Sequence, residues 1–183
     1  MGGNRVMTTH APEVPIAVDG DTGVWTTDGL PMLYVPRHFF INNHIAVEEA
    51  LGAERYAKAL YQAGYKSAWY WCEKESAQHG IEGDAVFHHY MKRLSQRGWG
   101  LFSTEMLDIA AGRARVRLDH SAFVYQMGEV GRKVDYMYTG WFSGAVDQIA
   151  DANGFDVRTV SRQTQCAAEP GVEFGLFEVT PIT

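Results

Sequence analysis

Cysteine is scarce in this chain of 183 residues: Cys72 and Cys166 are the only two, far apart and without a C-x-x-C pair. That excludes the disulfide ladder of small secreted domains and leaves reduced, intracellular thiols as the expectation. Basic charge is short as well, with 16 Lys plus Arg against 22 Asp plus Glu and a net charge of −6. The overall field therefore repels phosphate backbones, and no local basic patch restores nucleic-acid binding. No stretch approaches the ~18 consecutive apolar residues of a membrane span. Met1 to His10 lacks the apolar core of a signal peptide, and Val6 stands where a myristoylation motif needs Ser or Thr. A cytoplasmic protein without a membrane partner is expected. Internal repeats, low-complexity tracts, a phosphate loop, a dinucleotide fingerprint, H-E-x-x-H and G-x-S-x-G are also missing. What remains is length for about one domain and an unusual ring content, 13% Phe, Trp and Tyr.

Residues 1–31 read as an arm punctuated by Pro12, Pro15, Asp19-Gly20, Gly23 and Asp28-Gly29, with alternating Val14, Ile16 and Val18 and then Trp25 suggesting a strand. A single domain is expected over 32–183. Residues 32–41 are β-branched and aromatic, and Pro36 confines them to an edge strand. Ile45, Val47, Ala50 and Leu51 predict a short helix stopping near Gly52. A longer helix over 53–78 follows from the stripe Ala57, Leu60, Tyr61, Gly64, Ala68, Trp71 and Cys72. Asp84 is a plausible cap for a helix over 85–97. The period then changes: Arg113, Arg115 and Arg117 alternate with Ala114, Val116 and Leu118, a half-buried strand reached through a turn at Ala110-Ala111-Gly112. The arginine row reads as a solvated sheet face, with an anion site as the alternative. A helix over 136–152 and strands over 155–165 and 172–180 complete an α+β layer, helices covering one face of an antiparallel sheet.

Candidate metal ligands are His38, His44, His88, His89, His120 and Cys166. Adjacent His88 and His89 point roughly 100° apart on a helix and cannot easily share one ion, so ordinary half-buried histidines are expected and no metal. Ser143 lacks an elbow motif, and Cys72 follows Trp69-Tyr70-Trp71 on an apolar stripe where a thiol stays inert. Tyr65, Trp69, Trp71, Phe87, Tyr90, Tyr136, Tyr138 and Trp141 fall on helices that would pack on the same sheet. They form either a plain aromatic core or the wall of a cavity. Such a wall holds an apolar ligand by area, or a quaternary ammonium by cation–π attraction with Glu73 or Asp135 nearby.

From Trp99 to Val179 the sequence resembles the 4-vinyl reductase-like domain, a hydrocarbon- or small-molecule-binding module. The resemblance is carried by Gly98-Trp99-Gly100, the strand from Ala114 to Leu118, Gly140-Trp-Phe-Ser-Gly144, Gln165-Cys166, Gly171 and Phe174-Gly-Leu-Phe177. The helix pair of the first half agrees with it. The family shares its architecture with subunits of the TRAPP vesicle-tethering particle. The resemblance implies a twisted antiparallel sheet covered on one side by helices, an apolar cavity between the layers, and a homodimer. Family members often carry metal-binding cysteines. Here Cys166 fits one, while Gly175 and the run from Val134 to Tyr138 lack the others, so the metal is not carried over and His88, His89 and Cys166 are only residual candidates. Some similar stand-alone proteins are encoded near genes for methylated-amine breakdown. The resulting expectation is a non-catalytic binding or regulatory protein without a cofactor. Its ligand is a small apolar or methylated-ammonium molecule, lined by Tyr65, Trp69, Cys72, Phe87, Tyr90, Tyr138 and Trp141. The alternatives are an enzyme or accessory subunit of amine or tetrapyrrole metabolism, using His88, His89, Asp135 or Cys166, and an interaction scaffold.

Overall fold

A computed structural model describes residues 13–182; the expectation placed on Met1 to His10 falls outside them. The chain divides into two compact units, one running to Leu33 and the other starting at Tyr34. The first is a three-stranded antiparallel meander: β1 (Ile16–Val18), β2 (Trp25–Thr27) and β3 (Leu30–Met32), paired in that order. Asp28 and Gly29 join β2 to β3 with φ of 52° and 77°, the doubly left-handed pair that matches the twist of a two-residue hairpin.

The second unit opens with α1 (Arg37–Leu51), α2 (Ala53–His79) and α3 (Asp84–Gln96). The expected edge strand over 32–41 is corrected here, because only Leu30–Met32 is extended and the helix begins at Arg37. Pro36, at φ −59°, presets the entry, and its carbonyl accepts the first helical bond from the Phe40 N–H at 3.2 Å. The β-prone run His38 to Ile41 is overruled by packing: Ile41 and His44, three apart, bury one side of α1. Asp84 is likewise the first residue of α3, and Gly83 holds the cap position.

Next come β4 (Leu101–Asp108), β5 (Arg113–Asp119), the short helix α4 (Ala122–Met127), one 3-10 turn (Tyr136–Tyr138), α5 (Thr139–Ala152), β6 (Thr159–Gln165) and β7 (Gly175–Pro181). Sequence patterning misses α4, which is started by Ser121 accepting from the N–H groups of Phe123 and Val124. The last two strands begin later than expected. All pairs are antiparallel, in the order β4-β5-β7-β6. Ala114, Val116 and Leu118 lie on the covered face with Phe102, Phe177 and Val179. The arginines face away as anticipated: Arg115 pairs with Glu178 at 2.8 Å, and Arg117 pairs with Asp119 while stacking on Phe174 at 3.9 Å.

Helix α5 is buried nearly all round, between the sheet and α2. Its closeness to α2 is set by glycine. A Cβ at Gly140 would stand 2.1 Å from the Tyr61 carbonyl oxygen, and one at Gly144 would stand 2.3 Å from that of Tyr65. Tyr61 donates to Ser143 Oγ at 2.9 Å and Tyr65 to Asp147 at 2.8 Å, so the same two turns that approach closely also satisfy the polar groups they bury. No helix among the described residues is long and apolar enough to cross a membrane.

Candidate ligand site

The rings gather where the start of α5 meets the sheet. Tyr138, fully buried, lies 5.0 Å from Trp141, 5.4 Å from Phe102, 5.7 Å from Phe123, 6.1 Å from Trp99 and 6.2 Å from Phe177, mostly edge to face. Trp99 is held through its carbonyl, which accepts from Tyr138 Oη at 3.2 Å and from the Ala122 N–H at 2.9 Å. Gly100 follows at φ 148°, where a Cβ would meet Leu118 at 2.5 Å. Phe123 then connects this cluster to α1, with Phe40 at 6.2 Å and His44 at 4.8 Å.

His44 is the polar centre of that second part. Its ring is buried among Phe123, Tyr56 at 4.9 Å and Tyr136 at 5.4 Å. Burial lowers its pKa below the usual value, Arg132 adds to this and Glu48 opposes it, so the imidazole is neutral at pH 7. Tyr136 gives its single O–H to Glu48, leaving its oxygen to accept from His44 Nε2 at 3.1 Å. We assign the proton to Nε2 on that ground. Nδ1 is then an unprotonated acceptor, and no donor among the described residues meets it although it is buried. Arg132 grips Glu48 at 2.5 and 3.2 Å. Burial alone would raise the Glu48 pKa; the bonds from Tyr136 and Arg132 hold it below the usual range.

The seven ring and thiol positions read from the sequence fall into three places. Tyr138 and Trp141 belong to the cluster above. Tyr65 and Trp69 stack on each other at 6.1 Å beside α5 and β6, where Asp147 takes the Tyr65 hydroxyl and the Thr159 hydroxyl and N–H, and Arg158 lies 5.8 Å over Trp69. Cys72, Phe87 and Tyr90 are buried on the facing sides of α2 and α3, with Tyr90 4.7 Å from Trp71. Burial pushes both the Cys72 thiol and the Tyr90 phenol well up. Sequence reasoning treats His44 only as a metal candidate and gives no role to Phe40, Glu48, Tyr56, Phe123 or Arg132. The spacing of Ile41, His44 and Glu48 on one helix is the signal available for them, and it is hidden by the strand-like run before it.

The carboxylates considered for a cationic ligand are placed differently. Glu73 is exposed on α2. Asp135 is buried, and its two oxygens already accept from Ser121, from Gln163 at 3.3 Å and from Cys166 Sγ at 3.3 Å. Burial raises the Asp135 pKa against those three bonds, and burial beside Asp135 raises that of Cys166. A Cβ at Gly175 would reach to 3.6 Å of the same carboxylate, so this corner is closed by hydrogen bonds around one thiol. His88 is exposed, His89 bonds to Glu75, and no hydrogen bond links either to Asp135 or Cys166.

Helices packed on one face of a twisted four-stranded antiparallel sheet define the α+β architecture seen in vinyl-4-reductase-like proteins and TRAPP subunits. A vinyl-4-reductase family protein from Methanocaldococcus jannaschii matches at TM-score 0.53 and 14% identity over 83% of this chain and 85% of that one. Subunit 3 of a trafficking protein particle complex from Naegleria fowleri, covalently bound to palmitic acid, matches at TM-score 0.52 and 12% identity, over 80% and 91%. The phenol-responsive sensory domain of the transcription activator PoxR, solved with phenol, matches at TM-score 0.74 and 14% identity, over 91% and 84%. By sequence the chain belongs to the family described as a domain of unknown function, DUF5943, whose profile matches residues 10–105. No curated protein matches the sequence.

Proposed function

We propose that the protein is a non-catalytic small-molecule sensor or regulatory module, whose ligand is a small, largely apolar molecule carrying one hydrogen-bond donor. The observation that carries this reading is His44 Nδ1, a buried acceptor walled by Phe123, Tyr56 and Tyr136 and left without a donor. An orphaned buried acceptor costs free energy that an incoming hydroxyl or N–H recovers, while the rings supply the apolar contact. The likeness in fold to a phenol-responsive sensory domain supports the same class of ligand. A hydroxyl-bearing aromatic fits better than a methylated ammonium, because a quaternary cation has no N–H to give Nδ1 and the Asp135 carboxylate is already engaged.

The matched pair phenol and toluene tests it, with tetramethylammonium as a third arm. Thermal shift and calorimetry on the full chain should show phenol bound roughly 2- to 10-fold more tightly than toluene, the worth of one hydrogen bond. In His44→Leu that preference should disappear. Equal binding of phenol and toluene by the unaltered protein, or no binding of either, overturns the reading, and a response to tetramethylammonium alone would favour the cationic ligand. We further propose a homodimer, supported by apolar side chains left exposed on α1 and α4, notably Phe39 at 63% and Tyr125 at 74%.

A further inference from the structure

The corner between α2 and α3 holds a second constellation, separate from the ring cluster. Glu75 is completely buried near the end of α2, and His79 follows one turn later on the same face. His89 enters from α3 with its ring stacked on Trp71 at 5.5 Å and 22°. The Nε2 atoms of His79 and His89 both aim at one oxygen, Glu75 Oε2, at 3.3 and 2.8 Å. The other oxygen, Oε1, is buried and has no partner among the described residues. This carboxylate has two imidazoles on one oxygen and none on the other, and a buried polar atom left unsatisfied is uncommon enough to point to a missing donor or ion.

We propose that Glu75, His79 and His89 form a binding site for a borderline divalent transition-metal ion of the Zn2+ type. Two imidazole nitrogens and one carboxylate oxygen are a donor set such ions prefer. The three donor atoms lie within 4.8 Å of one another. Metal–ligand distances of about 2.0–2.2 Å at tetrahedral angles place neighbouring ligands roughly 3.3–3.6 Å apart. The His79 separation of 3.3 Å meets that range, and the His89 ring, at 2.8 Å, has to draw back by about half an ångström to admit an ion. The site is also braced. Residues 80–83 connect the two helices in four residues, and this turn is tied back by Ser76 Oγ donating to the Ile81 carbonyl at 2.7 Å and by the Ile81 N–H donating to the Ser76 carbonyl at 3.2 Å. His88 faces solvent and takes no part.

The test is titration of chelator-treated full-length protein with Zn2+ by calorimetry, with Co2+ as a spectroscopic substitute. One equivalent should bind and raise the melting temperature, and Co2+ should give the visible absorption of a low-coordinate site. Glu75→Gln and His79→Ala should each weaken binding at least tenfold. His79 sits a third exposed at a helix end, so that variant should retain its circular dichroism. Cys166→Ser should bind as the unaltered protein does. Absence of binding, equal affinity in His79→Ala and the unaltered protein, or loss of binding in Cys166→Ser overturns the proposal.

Discussion

A neutral imidazole has one donor and one acceptor, and at His44 only the donor is used. That state has a consequence for stability. The folded pKa of His44 lies below the unfolded value of 6.5, so its contribution is fully present above that pH and is lost as the pH falls through the folded pKa. Chemical denaturation of the protein and of His44→Gln should therefore differ by a constant amount above about pH 6.5. Below it the unaltered protein should lose stability relative to the variant. Parallel curves down to pH 5 would show that His44 is not held neutral. The reading also explains why residue types alone did not single this histidine out: seven histidines look alike in a sequence, and what distinguishes His44 is that Tyr136, ninety-two positions away, has already spent its proton on Glu48.

At the scale of elements, the packing of α2 on α5 is the most sensitive contact in the fold. Gly140→Ala and Gly144→Ala each place a methyl against a backbone carbonyl, which cannot rotate aside as a side chain could. Each should destabilise by about 1–3 kcal/mol or more, seen as a lower melting temperature. The double variant should exceed either single one, since the two sites share one interface. An unchanged melting temperature in both single variants would mean that the helices sit further apart than described. The helix over 53–78, the arginine-faced strand and the last two strands were legible because each is long enough to show its period. The start of α1 and the whole of α4 were not: one is masked by β-prone residues that packing overrides, and the other is too short to display a period and depends on one serine cap.

For the whole molecule, the exposed apolar residues of α1 and α4 lead to a prediction about assembly. Light scattering during size-exclusion chromatography should report a mass twice the 20.4 kDa of one chain. Phe39→Glu should shift it to the monomer without loss of helicity. A single-chain mass for the unaltered protein removes the homodimer. The candidate ligand positions named from sequence also divide only at this scale, with two beside α5 and β6, three between α2 and α3, and two in the ring cluster over the sheet.

Composition and periodicity alone established an α+β chain with helices over an antiparallel sheet, an aromatic interior and an outward arginine row, because those follow from the spacing of apolar residues along each element. Which rings meet, which histidine keeps a vacant acceptor, and which carboxylate collects two imidazoles were decided by the tertiary fold. These depend on contacts between residues far apart in the chain, such as His44 with Tyr136 or Tyr65 with Asp147, and local patterning holds no record of them.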